Sequence, residues 1–437
     1  MQRQRTQQNQ EDQEEIEKKN SSSSGGYSFF NLLCCSAASF NEMLASSDSH
    51  EEEEERAAEE ANAFESGRTE PPPPPPPLPP ASISELVMEA GEAVAQNDRN
   101  RAGRLVAPLT ARACARGDAT ERLACQFVRA LCSRMHISSI FGEPSEAAAD
   151  LETAYLALNQ VTPFVRFAHL TANQAILEAI NGHEGSIHIV DLNIMQGVQW
   201  PPFMQALAER PGGPPSLMKI TAAGPELHSL NRTGRRLHRF AQTLGLPFEF
   251  VSLPFAEQFT GNIISTPGEA LAVNCAFYLH RLLDDNVYSR LRSLLLQIKG
   301  LEPRVVTVAE KEMDSNQADF VYRLSQMFAH YSSIFESLEA TLPPNSKERF
   351  SVEEIWLGRE IVNTVSSDTR HQRFERWAQV MNDCGFNSIP HSEFAISQAR
   401  LLLRLHYPSE GYYLEALNNC FFLGWQNAPL FSVSSWH

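Results

Sequence analysis

Residues 187–202, IHIVDLNIMQGVQWPP, decide the fold because they begin as a buried strand and end as the start of a helix. The strand signature consists of Ile187, His188, Ile189, Val190 and Asp191. Its β-prone, mostly apolar character is typical of a strand inside a parallel sheet. Nucleotide-binding and methyl-donor-binding folds next place a glycine-rich turn, which lets the backbone approach the ligand. Residues 192–199 offer only Gly197, which predicts an enzyme-like scaffold without its cofactor loop.

The segments that follow alternate between strand and helix patterns. Candidate strands are residues 187–191, 218–222, 248–251, 270–276 and 305–309. Helical patterns lie between them, including residues 202–209 and 233–244, and a long amphipathic helix is predicted over 317–342. This alternation predicts right-handed crossovers and a mainly parallel sheet with helices on both faces. Residues 401–406, 421–426 and 430–435 are predicted as antiparallel strands at the end.

Residues 81–181 show apolar side chains at helical spacing throughout, for example Leu123, Phe127 and Leu131. Short breaks fall at Gly117, at residues 142–144 and at Pro163. The pattern predicts a helical subdomain ahead of the sheet.

Residues 1–80 are polar, charged and proline-rich, with five consecutive glutamates from Glu51 and seven consecutive prolines from Pro71. Such a segment buries too little apolar surface to offset the entropy of ordering, so we predict that it is disordered.

The charge of the chain is acidic in both parts. Residues 1–80 carry 6 Lys and Arg against 16 Asp and Glu, and the remaining residues have a net charge of −7. Because nucleic-acid binding rests mainly on neutralising phosphates, this argues against autonomous, high-affinity DNA contact. The sequence contains no run of eighteen apolar residues, so it predicts no membrane span. The eight cysteines contain no CxxC pair and indicate reduced thiols in an intracellular protein.

A basic stripe lies on the predicted helix at 231–244. Its members, at positions i, i+3, i+4 and i+7, are Arg232, Arg235, Arg236 and Arg239. Four guanidinium groups in one stripe would bind phosphates or an acidic partner. A solvated outer face explains the same spacing and is slightly favoured.

Two LxxLL sequences occur, LHRLL and LRSLL. Their leucines are Leu279, Leu282 and Leu283 in the first and Leu291, Leu294 and Leu295 in the second. On an exposed helix they would dock in a coregulator groove, because positions i, i+3 and i+4 project together. The many apolar neighbours favour burial in the protein's own core instead.

Four of the five tryptophans lie in the last part of the chain, which ends WQNAPLFSVSSWH. Trp425 and Trp436 belong to this aromatic-rich terminal hairpin. Core packing is favoured for most of the tryptophans. Because a chain end has less opportunity for burial on all sides, we expect the rings of this hairpin to be partner contacts.

For catalysis, the credible candidates are three carboxylates near predicted strand ends, Asp191, Glu310 and Glu312, where ligands bind in parallel sheets. Helix capping and internal ion pairs explain them at least as easily. No Ser/His/Asp order, HxxxH or GxSxG element accompanies them. We therefore predict no catalytic, cofactor-binding or metal-binding residue.

The ordered set of motifs resembles the plant GRAS family of transcriptional regulators from about residue 81 to the C-terminus. The strand signature stands where that family has Val-His-Ile-Ile-Asp, with Val190 for the second isoleucine. VNCAFYLHRLLDD from Val273, VVTVAEKEMDSN from Val305 and WLGREIVNTV from Trp356 follow in the family's order. The ending has Ser435 in place of the alanine of Ser-Ala-Trp. The segments WQNAPLFSVSSWH and YPSEGY are similar to the lateral suppressor (scarecrow-like) branch.

The resemblance implies five regions after the acidic N-terminal residues 1–80. They are residues 81–150 (leucine-rich region I), 151–224 (VHIID region), 232–264 (leucine-rich region II), 271–355 (PFYRE region) and 356–437 (SAW region). It also implies a Rossmann-like, methyltransferase-related core with an N-terminal helical cap.

For function, the resemblance implies a non-enzymatic transcription regulator in the nucleus, without a cofactor, in meristem development and shoot branching. Its partners would be zinc-finger DNA-binding proteins and other GRAS-like proteins, as homo- or heterodimers, and DNA would be reached mainly indirectly. Two other functions stay open from the residues. One is a small-ligand sensor or methyl-donor-dependent enzyme that uses the crevice near Asp191, and the other is direct sequence-specific DNA binding through the arginine stripe.

Overall fold

A mixed β-sheet forms the centre of the computed structural model, which describes residues 82–183, 185–224, 226–253, 268–283, 288–367 and 369–437. The strands are β1 (Ser186–Asp191), β2 (Leu217–Ala223), β3 (Phe248–Leu253), β4 (Ala270–Ala276), β5 (Val305–Lys311), β6 (Ser388–Ile389), β7 (Tyr412–Leu417), β8 (Cys420–Trp425) and β9 (Ala428–Trp436). The predictions for residues 1–80 and for 254–264 of leucine-rich region II lie outside the described residues.

The strand order is β3-β2-β1-β4-β5-β9-β8-β7, and β6 pairs with β9. The first five strands are parallel, with Ile187 opposite Met218 on β2 and opposite Ala270 on β4. This 3-2-1-4-5 order is that of Rossmann-type sheets. The remaining strands are antiparallel, and the structure confirms the predicted α/β fold with a mainly parallel sheet.

The helices lie on both faces of this sheet and beyond one end of it. They are α1 (Ile83–Ala95), α2 (Arg99–Arg112), α3 (Ala119–Arg134), α4 (Ala148–Val161), α5 (Pro163–Ala179), α6 (Trp200–Ala208), α7 (Leu227–Thr243), α8 (Ser289–Gly300), α9 (Phe320–Thr341), α10 (Lys347–Phe350), α11 (Gly358–Ser366), α12 (Phe374–Asp383) and α13 (Glu393–His406). A π-helical segment, Ser351–Leu357, joins α10 to α11, and Leu279–Leu282 forms one 3-10 turn.

Local sequence signals explain where several helices begin. Ser82 and Asp118 each form a capping box, with Glu85 and Glu121 respectively, so that backbone N–H groups of the first turn are satisfied. Pro163 occupies the first turn of α5, where its missing N–H costs nothing. The breaks predicted at Gly117 and Pro163 therefore fall at helix boundaries.

The helical cap is built from both halves of the chain. Helices α1 and α3 pack against α9, and α3 also packs against α11. Helix α5, from the N-terminal helical part, instead lies on β4, β5 and β9. A cap formed only by residues 81–181 is therefore too simple a description, because periodicity shows that a helix is amphipathic but not which element covers it.

The C-terminal prediction was wrong at one strand. Residues 401–406 lie in α13, whose first turn is capped by the Ser392 hydroxyl accepting from the N–H of Ala395. The short apolar run fits either period, and the upstream cap decides for the helix. Strand β7 (Tyr412–Leu417) was missed, whereas the strands predicted at 421–426 and 430–435 correspond to β8 and β9.

Candidate functional site

The strand signature forms the interior of the sheet. All five side chains from Ile187 to Asp191 are buried, with β2 on one side and β4 on the other. The ring of His188 lies 2.8 Å from the Thr221 hydroxyl and 3.2 Å from a Glu269 oxygen. Burial lowers the pKa of His188, which Glu269 partly opposes. The signature thus works as a core strand, and neighbouring polar groups satisfy its histidine.

Asp191 is directed into the protein, where its carboxylate has three donors. The indole Nε1 of Trp200 donates to Oδ2 at 2.8 Å, the backbone N–H of Asn193 donates to Oδ1 at 3.1 Å, and the Asn274 amide donates to Oδ1 at 3.4 Å. Burial raises the pKa of Asp191 from 3.8 to about 6, although these hydrogen bonds lower it. Asp191 is therefore a structural carboxylate and not part of the crevice wall.

The loop after β1 is closed around protein groups. Gly197 has φ +70°, and a Cβ there would lie 2.8 Å from the Cγ2 of Thr233. The Gln199 side chain donates to Asn173 at 3.1 Å and to Asn274 at 3.3 Å. Gly197 therefore allows α7 to pack closely against this loop. The buried amides of Gln199, Asn173 and Asn274 hold the loop in place.

A crevice of about 800 Å³ lies beyond the carboxyl ends of the parallel strands. Asn193, Phe277 and Lys311 line it at the ends of β1, β4 and β5. Helix α4, the π-helical segment and the start of α11 cover it from the cap side. This is the position at which open α/β sheets bind ligands, because the strand order reverses between β1 and β4.

Two histidines that line this crevice lie beside a carboxylate that is buried behind them. His280, Glu310 and His371 bring one potential metal-ligand atom each to within 4.8 Å of one another. The two rings stack with centroids 4.5 Å apart. Glu310 already accepts from the backbone N–H of His280 at 3.2 Å and lies 2.9 Å from its Nδ1.

The charges around this cluster do not favour a dication. Lys311, Arg281 and Arg359 line the same crevice, and burial is the first cause that lowers the pKa of His371, followed by the charges of His280 and Lys311. We therefore interpret the cluster as a polar part of the protein, in which Glu310 holds His280 and the ring of His371 stacks on that of His280.

Of the other predicted carboxylates, Glu310 is buried against His280, outside the lining of the crevice, and Glu312 has a structural role. Both oxygens of Glu312 accept from the backbone N–H of Phe374, at 3.1 and 3.3 Å, at the start of α12. Burial raises the pKa of Glu312 to about 7. Helix capping, the alternative weighed for these carboxylates, is the role that Glu312 fills.

The arginine stripe on α7 is divided into two pairs. Arg232 and Arg236 both form ion pairs with Glu152 of α4, and Arg236 also donates to the Gln196 side chain at 2.7 Å. Arg235 and Arg239 are exposed. The expected surface of four guanidiniums is therefore reduced to two, because the cap supplies a carboxylate that sequence spacing does not reveal.

The LxxLL leucines are in the core, as the favoured interpretation predicted. All six are buried: Leu279, Leu282, Leu283, Leu291, Leu294 and Leu295. The first motif forms a 3-10 turn and the second lies within α8. The described structure therefore offers neither motif to a coregulator groove.

Trp425 and Trp436 are also buried, with exposed fractions of 4% and 1%. This corrects the expectation that the terminal hairpin leaves them accessible. Strand β9 is inserted between β5 and β8, so the hairpin has neighbours on both edges. The indole Nε1 of Trp436 donates to the Ser434 hydroxyl at 2.9 Å, and the ring of Trp425 packs 4.8 Å from that of Tyr412.

The basic side chains and histidines that line the crevice were not singled out from the sequence. His280 and Arg281 come shortly after β4, and Lys311 ends β5, so the strand-end rule could have indicated them. Arg359 lies in α11 and His371 in the segment between α11 and α12, so neither follows a sheet strand and neither gave such a signal.

The fold and site together define a class of protein: a Rossmann-like α/β domain whose strand-end crevice is covered by helices and whose first loop is filled by its own side chains. The sequence matches the GRAS domain family over residues 83–437. The chain belongs to this family.

Three comparisons place it further. It is 43% identical to Scarecrow-like protein 18 of Arabidopsis thaliana over 405 residues, covering 81% of this chain and 91% of the relative. It is 42% identical to Protein MONOCULM 1 of Oryza sativa over 395 residues, covering 81% and 88%. The crystal structure of SCL7 from Oryza sativa matches with a TM-score of 0.70 and 38% identity, covering 82% of this chain and all of that one. These similarities support a regulator of transcription in plant development.

Proposed function

We propose that this protein regulates transcription without catalysing a reaction, and that DNA-binding partner proteins bring it to promoters. The observation that carries the proposal is the arrangement around Asp191. The acidic residue after the first strand is held by Trp200 and Asn274 inside the protein, and the following loop is packed against α7. A scaffold with this arrangement is better suited to binding other proteins through its surface than to binding a methyl donor beside the first strand.

The charge distribution supports indirect contact with DNA. The chain has a net charge of −17, and Glu152 neutralises Arg232 and Arg236 on the most basic helix. Two exposed arginines provide too few phosphate contacts for strong binding to a duplex. Arg235 and Arg239 instead fit an acidic segment of a partner protein, with which guanidinium groups form paired hydrogen bonds.

The proposed partners are zinc-finger DNA-binding proteins and other members of the family, in homo- or heterodimers. The proposed place of action is the nucleus, in meristem development and shoot branching. Family membership and the similarity to Scarecrow-like protein 18 and MONOCULM 1 support this setting. Among the described helices, none combines the length and apolar character needed to cross a bilayer.

The test is recovery of complexes from plant nuclei that express the tagged full chain, followed by mass spectrometry. We expect DNA-binding proteins in the wild-type complexes and their loss with the double variant Arg235→Ala and Arg239→Ala. A matched control changes Arg99 and Arg104 to alanine, because these arginines are also exposed but lie on α2. Wild-type complexes that contain no DNA-binding protein would contradict the proposal.

The same preparation separates this mechanism from direct DNA binding. Purified protein alone should not retard promoter DNA, whereas addition of a recovered partner should produce a retarded complex. Salt-sensitive retardation by the purified protein, weakened by the Arg235 and Arg239 variant, would support direct binding instead. Deletion of the terminal hairpin is unsuitable here, because β9 pairs with β5 inside the sheet.

A further inference from the structure

Two arginines line the crevice, and neither forms an ion pair with a carboxylate of the described residues. Arg281 follows β4 and lies over the ring of Tyr278 at 5.9 Å, and Arg359 is in the first turn of α11. Both line the cavity. The Nε of Arg359 is buried and has no hydrogen-bond partner in the described structure. Because an unsatisfied buried donor is costly, this position favours an acceptor from outside the protein.

Two described carboxylates that follow or adjoin these arginines, Glu310 and Glu360, are already engaged. Glu310 lies within hydrogen-bond distance of the ring and backbone N–H of His280. Glu360 accepts from Lys311 and from the Tyr331 hydroxyl. Neither of these carboxylates forms an ion pair with Arg281 or Arg359 in the described structure. Of the other glutamates that line the crevice, Glu146, Glu152 and Glu226, Glu152 is paired with Arg232 and Arg236.

The two guanidiniums also influence each other. Burial is the first cause that lowers the pKa of Arg281, and the positive charge of Arg359 lowers it further, while Glu310 acts in the opposite direction. An anion between two guanidiniums removes their repulsion and accepts hydrogen bonds from both.

Much of the remaining wall is apolar and aromatic. It includes Tyr155 and Trp356, whose rings lie 5.1 Å apart, and Phe431 on β9. The volume of about 800 Å³ lies within the range of sites for small organic molecules, roughly 300–1,000 Å³. An apolar body of this size would bury its surface against the rings.

We propose that the crevice binds a small organic anion, in which an apolar body lies against the aromatic wall and a single acidic group lies between Arg281 and Arg359. The ligand class goes beyond the proposed regulatory function, since partner recruitment through α7 does not require it. Such a ligand would contact the end of β4, strand β9 and the cap helices together.

The first test titrates the purified full chain with anilinonaphthalene sulfonate, an aromatic anion whose fluorescence rises in apolar sites. N-phenylnaphthylamine, which has the same apolar framework without the sulfonate, is the matched probe. We expect one saturable site for the sulfonate with an affinity at least about tenfold higher than for the neutral probe. Equal affinities would overturn the proposal, since apolar burial alone would then explain binding.

The second test uses the variants Arg281→Gln and Arg359→Gln, with Arg104→Gln as the control at an exposed position of α2. Each crevice variant should weaken sulfonate binding by about tenfold or more and leave neutral-probe binding unchanged. The control should bind both probes like the wild type. Thermal midpoints are measured for every variant, and a crevice variant that keeps the wild-type midpoint and the wild-type sulfonate affinity would refute the assignment.

The third test identifies the acidic group by displacement of the sulfonate probe with decanoate, decyl phosphate or decanol. Displacement by decanoate supports a carboxylate ligand, and displacement by decyl phosphate supports a phosphate ligand. If decanol displaces the probe as well as either acid does, or if none of the three displaces it, the anion site is refuted. The result is independent of whether DNA-binding partners are recovered from nuclei, so this proposal and the proposed function fail separately.

Discussion

Arg122 and Glu353 form a buried, two-fold hydrogen-bonded ion pair between α3 and the π-helical segment. The Nε donates at 2.8 Å and the Nη2 at 3.1 Å to the two carboxylate oxygens, and each side chain is 4% exposed. The two residues are 231 positions apart in the sequence. This pair ties the N-terminal part of the cap to the helix that covers the crevice.

Replacement of Arg122 by alanine should destabilise the protein by about 3–5 kcal/mol, because it leaves the Glu353 carboxylate buried without its principal partner. The measurement is the free energy of unfolding in denaturant. The matched control is Arg101→Ala, which removes an exposed pair with Glu92 at 3.7 Å and should cost less than about 1 kcal/mol. Similar losses for both variants would contradict the structural role of the buried pair.

Asp191 should make stability depend on pH in the acid range. Its folded-state pKa is raised by burial from 3.8 to about 6, so the folded state binds the proton more tightly than the unfolded state. The contribution of its protonation is therefore present below about pH 4 and is lost as the pH rises through 6.

The variant Asp191→Asn removes this titration. Between pH 6 and pH 4, the wild type should gain on the order of 2 kcal/mol of unfolding free energy relative to the variant. Asp383→Asn is the control, because Asp383 lies in an exposed pair with Arg292. A difference between wild type and Asp191→Asn that stays constant over this range would show that the carboxyl group has an ordinary pKa.

Leu295 and Leu296 are neighbours on α8, and comparison of their variants distinguishes a core role of the LxxLL motif from a docking role. Leu295 is fully buried, whereas Leu296 is 57% exposed. Leu295→Ala should cost about 2–5 kcal/mol, and Leu296→Ala about 0.5 kcal/mol or less. If instead Leu295→Ala keeps the wild-type stability and loses a coregulator peptide, the LxxLL motif acts as a docking site.

Variants of Trp436 show whether this ring is needed for stability or for binding of partner proteins. Trp436→Ala should destabilise the protein by about 3–5 kcal/mol and lose partner proteins only in parallel with its thermal midpoint. Trp436→Phe should retain more stability and the partners, because a large ring still fills the space beside Phe374. An alanine variant that keeps its midpoint but loses every partner would restore an interface role for this ring.

The parallel half of the fold could be predicted because each buried strand is encoded locally. Strand β4 was predicted with its observed bounds, and β1 differs only by the addition of Ser186. Residues 401–406 were assigned incorrectly because a short apolar run does not fix its own period, and the cap at Ser392 lies outside the run.

The candidate site was less predictable because long-range contacts create it. The spacing of Arg232 and Arg236 indicates a basic surface, but in the structure both form ion pairs with Glu152 on another helix. Arg281 and Arg359 come together only through packing of the cap on the sheet. Spacing within one helix reports which side chains share a face and does not report which charges meet that face.

The placement of β9 has a consequence for biosynthesis. This last strand lies between β5 and β8, with Ser435 opposite Thr307. A nascent chain therefore cannot complete this sheet until β9 has been translated and has left the ribosome, long after β5. A stop codon placed between β8 and β9 should consequently act as a loss-of-function allele, even though the parallel strands and the cap helices are all made.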